Sequence, residues 1–240
     1  MKPVGKLMAS YGVVMALAAL ILFGWLRYDY FLGSFNVLSV LRYNSMFAMV
    51  SLGMCFVIMT GGIDLSVGST AAMSSVIAAY ASPYGAVPGL LAGLGAGLAV
   101  GVLNGVIVTR LRIMPFIATL ATMLAASGAG LLFAGNQSVS VSYESGFTAL
   151  GQGNLLGFPV PAIMAIIAYA AGSVVLNLTS TGRTVLAIGG NEDASRLMGL
   201  PADRVTFLAY LASGGLAGLA GVILAAQFGA GQPIEGVGWE

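Results

Sequence analysis

Apolar runs of about 20 residues recur along this chain, separated by short stretches that hold nearly all of its charge, and they confine it to one class of fold. Hydrocarbon offers the backbone no hydrogen-bond partners, so a chain that crosses it in such runs must do so as helices. The runs lie at 10–26, 37–60, 66–82, 87–108, 114–135, 159–178 and 206–228. They predict an all-α bundle of about seven spans, one transmembrane domain over residues 1–240. With 58% hydrophobic and only 7% charged residues, the chain lacks the polar surface that a water-soluble globule needs.

A formal net charge of +1 gives no basic footprint for nucleic acid. There is no His, and the single Cys55 lies inside an apolar run. Histidine acid–base catalysis, Cys/His metal sites and an intrachain disulfide are thereby excluded, and no catalytic residue or cofactor is expected. Lys2 and Lys6 precede the first apolar run as in a signal peptide, but Trp25-Leu26-Arg27-Tyr28 is too bulky for a cleavage site, so the run is read as a retained span.

Basic residues stay on the cytoplasmic side. Lys2 and Lys6, then Arg110 and Arg112, then Arg183, Arg196 and Arg204 fall on one side of a seven-span arrangement, opposite Arg27, Asp29 and Glu144. This predicts a cytoplasmic N-terminus, with an outer connection at 136–157 and a charged inner one at 179–205.

Within this framework a few polar positions stand out. Gly61, Gly62, Asp64, Ser66 and Gly68 form Gly-Gly-Ile-Asp-Leu-Ser-Val-Gly between two apolar runs, with Ser69 following. Paired glycines interrupt a helix, and a carboxylate near lipid needs partners. Two readings stay open: Asp64 caps the next helix in a short cytoplasmic turn and acts in gating, or it contacts solute. Arg42 and Asn44, early in the second run, are candidates for the solute path. Arg42 either snorkels to the headgroups or pairs with an acid inside the bundle. Asn104 and Asn177 suit interhelical hydrogen bonds, and Pro115 suits the first turn of a helix. The spacing of Gly89, Gly93, Gly97, Gly101 and Gly105 suits close helix packing.

In the inner connection Asn191 is placed to cap a short amphipathic helix, Arg196 stands four residues after Glu192, and Gly199-Leu200-Pro201 ends the element. So short a helix needs a buttress, either the bundle or a docked cytoplasmic partner.

These motifs, with Asn104-Gly105, Met114-Pro115-Phe116-Ile117-Ala118-Thr119-Leu120 and Gly157-Phe158-Pro159-Val160-Pro161, resemble the permease subunits of ABC importers for ribose, xylose, arabinose and galactose. The resemblance implies a second permease subunit, identical or different, ATP-binding cassette subunits inside, and a periplasmic sugar-binding protein. It places Thr119 and Asn104 near the path. It makes Gly182, Arg183, Gly190, Asn191, Glu192, Ala194 and Gly199 part of an element coupled to the ATPase. The absence of a Gly-x-x-x-x-Gly-Lys-Ser/Thr phosphate loop fits a subunit that hydrolyses nothing itself. Members of this family usually continue past Trp239-Glu240, so the chain reads as a truncated member, and Ser127-Gly128 stands where members commonly have Arg-Gly. A branched-chain amino acid permease is the alternative cargo. An ion-coupled transporter using Asp64 is the alternative mechanism, and against it the apolar runs hold no second acid for a relay.

Overall fold

The computed structural model describes residues 3–236 and 238–239, with side-chain surroundings from Gly12 onward. Lys2, on which part of the predicted orientation rests, lies outside the described residues, as do the side-chain surroundings of Lys6. Residues 1–41 and 42–240 form two compact units. In the first, α1 (Pro3–Arg27) ends in a turn. The Phe31 ring there sits where a Cβ on Gly24 would be. α2 (Ser34–Met59) begins in this unit, and Asn36 in its first turn donates to the Phe31 carbonyl (2.7 Å).

The second unit continues along α2 and then holds α3 (Val67–Ala81), a 3-10 turn (Ser82–Tyr84), α4 (Ala86–Thr109) and α5 (Pro115–Ala134). The strands and helices β1 (Val139–Ser140), α6 (Ala149–Gln152), β2 (Asn154–Leu155), β3 (Phe158–Pro159) and α7 (Val160–Leu178) follow. Last come α8 (Ser180–Gly190), α9 (Glu192–Leu197), α10 (Ala202–Phe228) and β4 (Ala230–Gly231). Among the described residues five helices, α2, α4, α5, α7 and α10, are long and apolar enough to cross a membrane. The chain is a multi-pass helical membrane protein.

α3 differs from those five. Its 15 residues span only about 22 Å, and nearly every one is buried. It is built almost wholly of Ala, Ser, Thr, Gly and Val, so α4, α5 and α10 close round it. α4 and α10 meet along the predicted glycine face. A Cβ on Gly97 would stand 2.6 Å from the Gly218 Cα and run into the Gly214 carbonyl. Farther along α4, the rings of Phe147 and Phe207 fill the space over Gly89 and Gly105.

One end of this unit is basic, carrying Arg110 and Arg112 between α4 and α5 together with α8 and α9. The opposite end carries the 136–157 connection, which is folded. Val139 pairs with Gly231 and Asn154 with Pro159 in two small antiparallel ribbons, and Ser142 N–H donates to Ser82 Oγ (2.8 Å). The 179–205 connection is two helices rather than the single one expected. Asn191, extended at φ −165°, breaks them apart, and its side chain accepts from Ala194 N–H to start α9. Pro115 stands in the first turn of α5, as its missing N–H predicts.

Candidate functional site

α2 ends where Gly61 adopts φ +82°, a conformation that strains any side chain, and Gly62 N–H bonds the Val57 carbonyl (3.1 Å). Gly62 has a second constraint, because a Cβ there would lie 2.6 Å from the Tyr210 hydroxyl. The chain then turns inward and buries Asp64, which is 1% exposed. Its Oδ1 accepts from Ser66 N–H (3.0 Å) and Ser66 Oγ (2.6 Å), and its Oδ2 accepts from Ser213 Oγ on α10 (2.8 Å). Ser66 Oγ in turn accepts from Asn104 Nδ2 on α4 (2.8 Å), whose Oδ1 accepts from Thr122 Oγ1 on α5 (2.7 Å). Thr119 Oγ1 donates to the Pro115 carbonyl (2.8 Å) and to the Ile63 carbonyl (3.3 Å).

One carboxylate thus ties the start of α3 to α4, α5 and α10 through neutral donors. Among the described residues both ion pairs belong to Arg196, so no cation pairs with Asp64. The expected helix-capping position changes. Ser66, not Asp64, stands at the cap of α3, and Asp64 serves it from two residues before, inside the bundle rather than in a surface turn. Asn104 is the predicted interhelical bridge. Asn177 instead turns to its own helix, where its Nδ2 donates to Ser173 one turn back.

Toward the basic end, a cavity of about 420 Å³ opens beneath this node, lined by Thr60, Gly61, Arg112, Glu192, Asp203 and Tyr210 among others. The Tyr210 ring, fully buried against Val57 and Ala209, stands between the cavity and Asp64, and its hydroxyl donates to the Ile63 carbonyl (3.4 Å). On the far side of the cavity Arg196 bridges Glu192 (2.8 Å) and Asp203 (2.5 Å) and so fastens α9 to the start of α10. Donating to Asp203, and then to Glu192, raises the Arg196 pKa above its already high ordinary value, so its guanidinium stays charged at every physiological pH.

The other candidates lie apart from this node. Among the described residues Arg42 meets no acid. It donates to the Gln152 carbonyl and to Asn154 Oδ1 (2.8 Å), pinning the folded connection to α2. Asn44 is exposed two residues further along α2. At the basic end Gly182 is packed so tightly that a Cβ would strike the Leu176 carbonyl, whereas a Cβ on Gly190 would meet nothing within 4 Å. Arg183, Gly190, Asn191 and Glu192 are exposed beside the bare apolar side chains Leu186, Leu197 and Met198. Ala194 supplies the capped N–H of α9, and Gly199 turns the chain at φ +77°.

Residues 36–240 match the family described as the branched-chain amino acid transport system permease component. The ribose import permease protein of Bacillus subtilis is 39% identical over 236 residues, covering 97% of this chain and 73% of that protein. The L-arabinose transport system permease protein of Escherichia coli is 35% identical over 98% of this chain and 72% of its own length. The chain belongs to this permease family. A more distant relative of the permease, the fructose import permease protein of Bifidobacterium longum, is 31% identical over 80% of this chain and 60% of its own length. No solved structure matches the chain.

Several residues of this permease's polar framework escape a reading of the sequence. Ser213 and Thr122 are single hydroxyls in apolar runs, indistinguishable there from ordinary helix-facing Ser and Thr. Tyr210 reads as one more aromatic of a span. Only the Tyr210, Ser213 spacing of three, which puts both on one helix face, carries a signal. Glu235 reads as part of a polar stretch beyond the last span, yet the chain there doubles back into the bundle, where a Cβ on the adjacent Gly236 would run into the Gly68 carbonyl.

Proposed function

We propose that this permease is the membrane-spanning subunit of an ABC importer that moves a small carbohydrate. A periplasmic binding protein would deliver the solute, and ATP hydrolysis in partner subunits would drive its passage. The observation that carries the reading is similarity, over nearly the whole chain, to import permeases named for ribose and L-arabinose. In this reading the basic end is cytoplasmic, the chain spans a bacterial inner membrane about seven times, and a second permease subunit completes the path.

The exposed rim of α8 and α9, with Gly190 open to space and Leu197 89% exposed, is the surface offered to the ATPase. The Asp64 node then serves as a hinge: it fixes α3 against α10 directly above the Tyr210-capped cavity, and α9 is fastened to the start of that same α10.

The test is to purify the permease in mild detergent with the products of its neighbouring genes and ask whether an ATPase stays bound. The expected result is a complex that Gly190→Trp and Glu192→Arg weaken. An ATPase that never associates sinks the importer reading. The family description keeps branched-chain amino acids as a second cargo. In vesicles holding the complex, D-ribose uptake with no L-leucine uptake supports the carbohydrate, and the reverse supports the amino acid. Uptake that survives ATP depletion but collapses in Asp64→Asn would point to ion coupling instead.

A further inference from the structure

Beyond α10 the chain returns to the bundle instead of leaving it. Gly229 turns it at φ +73°, and Ala230–Gly231 pairs with Val139–Ser140 at the end opposite the arginines. Gln232 N–H then donates to Ser75 Oγ (2.9 Å), and the same hydroxyl reaches the Gln232 carbonyl (3.3 Å). Four residues later Gly236 packs so closely that a Cβ would run into the Gly68 carbonyl. Residues 231–236 therefore run back along α3 from Ser75 to Gly68, without helical structure.

The level of this segment follows from α3's own contacts. A Cβ on Gly93 of α4 would lie 3.2 Å from the Ser74 carbonyl, and Ser66 bonds Asn104 of the same helix. Gly68 lies between Ser66 and Ser74, so it is level with the middle of α4, a helix apolar enough to cross a membrane. The irregular segment thus reaches mid-depth. Pro233 and Gly236 are buried on its α3 side, while Ile234 and Glu235 are exposed on the other.

Irregular backbone at membrane depth is tolerated where it is buried in protein or lines a watery cavity, and an intramembrane carboxylate faces such a cavity or a partner rather than lipid. We propose that Gly231–Gly236 forms a wall of the solute path. In it Glu235 is a solute-facing carboxylate that accepts hydrogen bonds from the hydroxyls of a neutral polyhydroxyl solute. This rests on the importer reading above and assigns it a contact residue distinct from the Asp64 node. A carboxylate can accept from two neighbouring hydroxyls at once and repels anions, which suits an uncharged sugar.

The test uses the assembled transporter, with its ATPase and binding protein, in vesicles, with Cys55→Ala removing the exposed native thiol. Glu235→Cys should react with a charged, membrane-impermeant methanethiosulfonate at least roughly tenfold faster than Leu124→Cys, which stands 64% exposed on the lipid side of α5, and D-ribose should slow it. Reaction no faster than the Leu124→Cys control overturns the wall. Glu235→Leu should cut D-ribose uptake about tenfold or more with the ATPase still bound, and Glu235→Gln, which keeps one acceptor, should cut it less. Wild-type uptake in Glu235→Leu overturns the hydroxyl contact. Failure of the unmodified transporter to take up either D-ribose or L-arabinose overturns the carbohydrate reading instead, and the labelling rates still decide the wall.

Discussion

Asp64 is held by three hydrogen bonds from Ser66 and Ser213 and by no cation, so its worth lies in geometry more than in its formal charge. Asp64→Ala strands the Ser213 hydroxyl and the Ser66 N–H inside the bundle and should cost about 2–5 kcal/mol. Asp64→Asn keeps an acceptor for Ser66 and offers Ser213 a donor, so it should cost about 1 kcal/mol and leave uptake within a few-fold of wild type. Thermal unfolding in detergent, with Ser213→Ala as a third variant of intermediate loss, checks the order. An unstable Asp64→Asn would mean that the ionised carboxylate itself is required. The sequence announces Asp64, because a lone acid between glycines is unusual in an apolar chain, but it does not announce the burial. Two neighbouring glycines read equally well as a surface turn, and it takes the burial of Asp64, its bond to Ser213 and the Tyr210 hydroxyl against Gly62 to show that the turn faces inward. Glu235 illustrates the converse, since nothing local marks a polar stretch after a helix as one that re-enters the bundle.

Elements are held together here by close approach rather than by large side chains, so tolerance should follow space and not composition. α4 carries Gly95 and Gly97 on different faces. A Cβ at Gly95 would meet nothing within 4 Å, whereas one at Gly97 would meet the backbone of α10 at Gly214 and Gly218. Gly97→Val should prevent the α4–α10 crossing and lose the folded permease on gel filtration. Gly95→Ala should fold as wild type or better, since alanine stabilises a helix interior by about 1 kcal/mol over glycine. Gly97→Val folding as well as Gly95→Ala would show that helix propensity and not packing governs α4. The Gly89 to Gly105 spacing made this seam readable beforehand, because a four-residue repeat of the smallest side chain keeps one face flat. The ribbons in 136–157 were not readable. Strands of two residues have no periodicity, and one pair forms only because β4, some 90 residues later, comes back to meet it. The Asn191 break between α8 and α9 is half visible in the sequence: its side chain marks the start of α9, whereas nothing there marks α8 before it.

For the molecule as a whole, parity decides which groups face which side, and parity turns on α3. The helix is too short to cross alone, yet α2 ends at the basic end while Ala81 leads into the 3-10 turn that bonds Ser142 at the other. Residues 60–81 together therefore run from one end of this unit to the other, with the stretch through Asp64 supplying the length that α3 lacks. This works because α4, α5 and α10 pack round α3 and bury most of it, so the non-helical start has protein partners for its backbone. Within residues 42–240 the chain then passes between the two ends six times, along α2, residues 60–81, α4, α5, α7 and α10. Tyr30, 90% exposed between α1 and α2, and Tyr84, 81% exposed between α3 and α4, should share one side, with the exposed Asp193 on the other. In a Cys55→Ala background, Tyr30→Cys and Tyr84→Cys should react with an impermeant maleimide in intact spheroplasts, and Asp193→Cys only in inverted vesicles. If Tyr84→Cys instead reacted from the cytoplasmic side while Tyr30→Cys reacted from outside, residues 60–81 would be a hairpin that never crosses. The basic connections would then lie on both faces, against the charge asymmetry that orients helical membrane proteins.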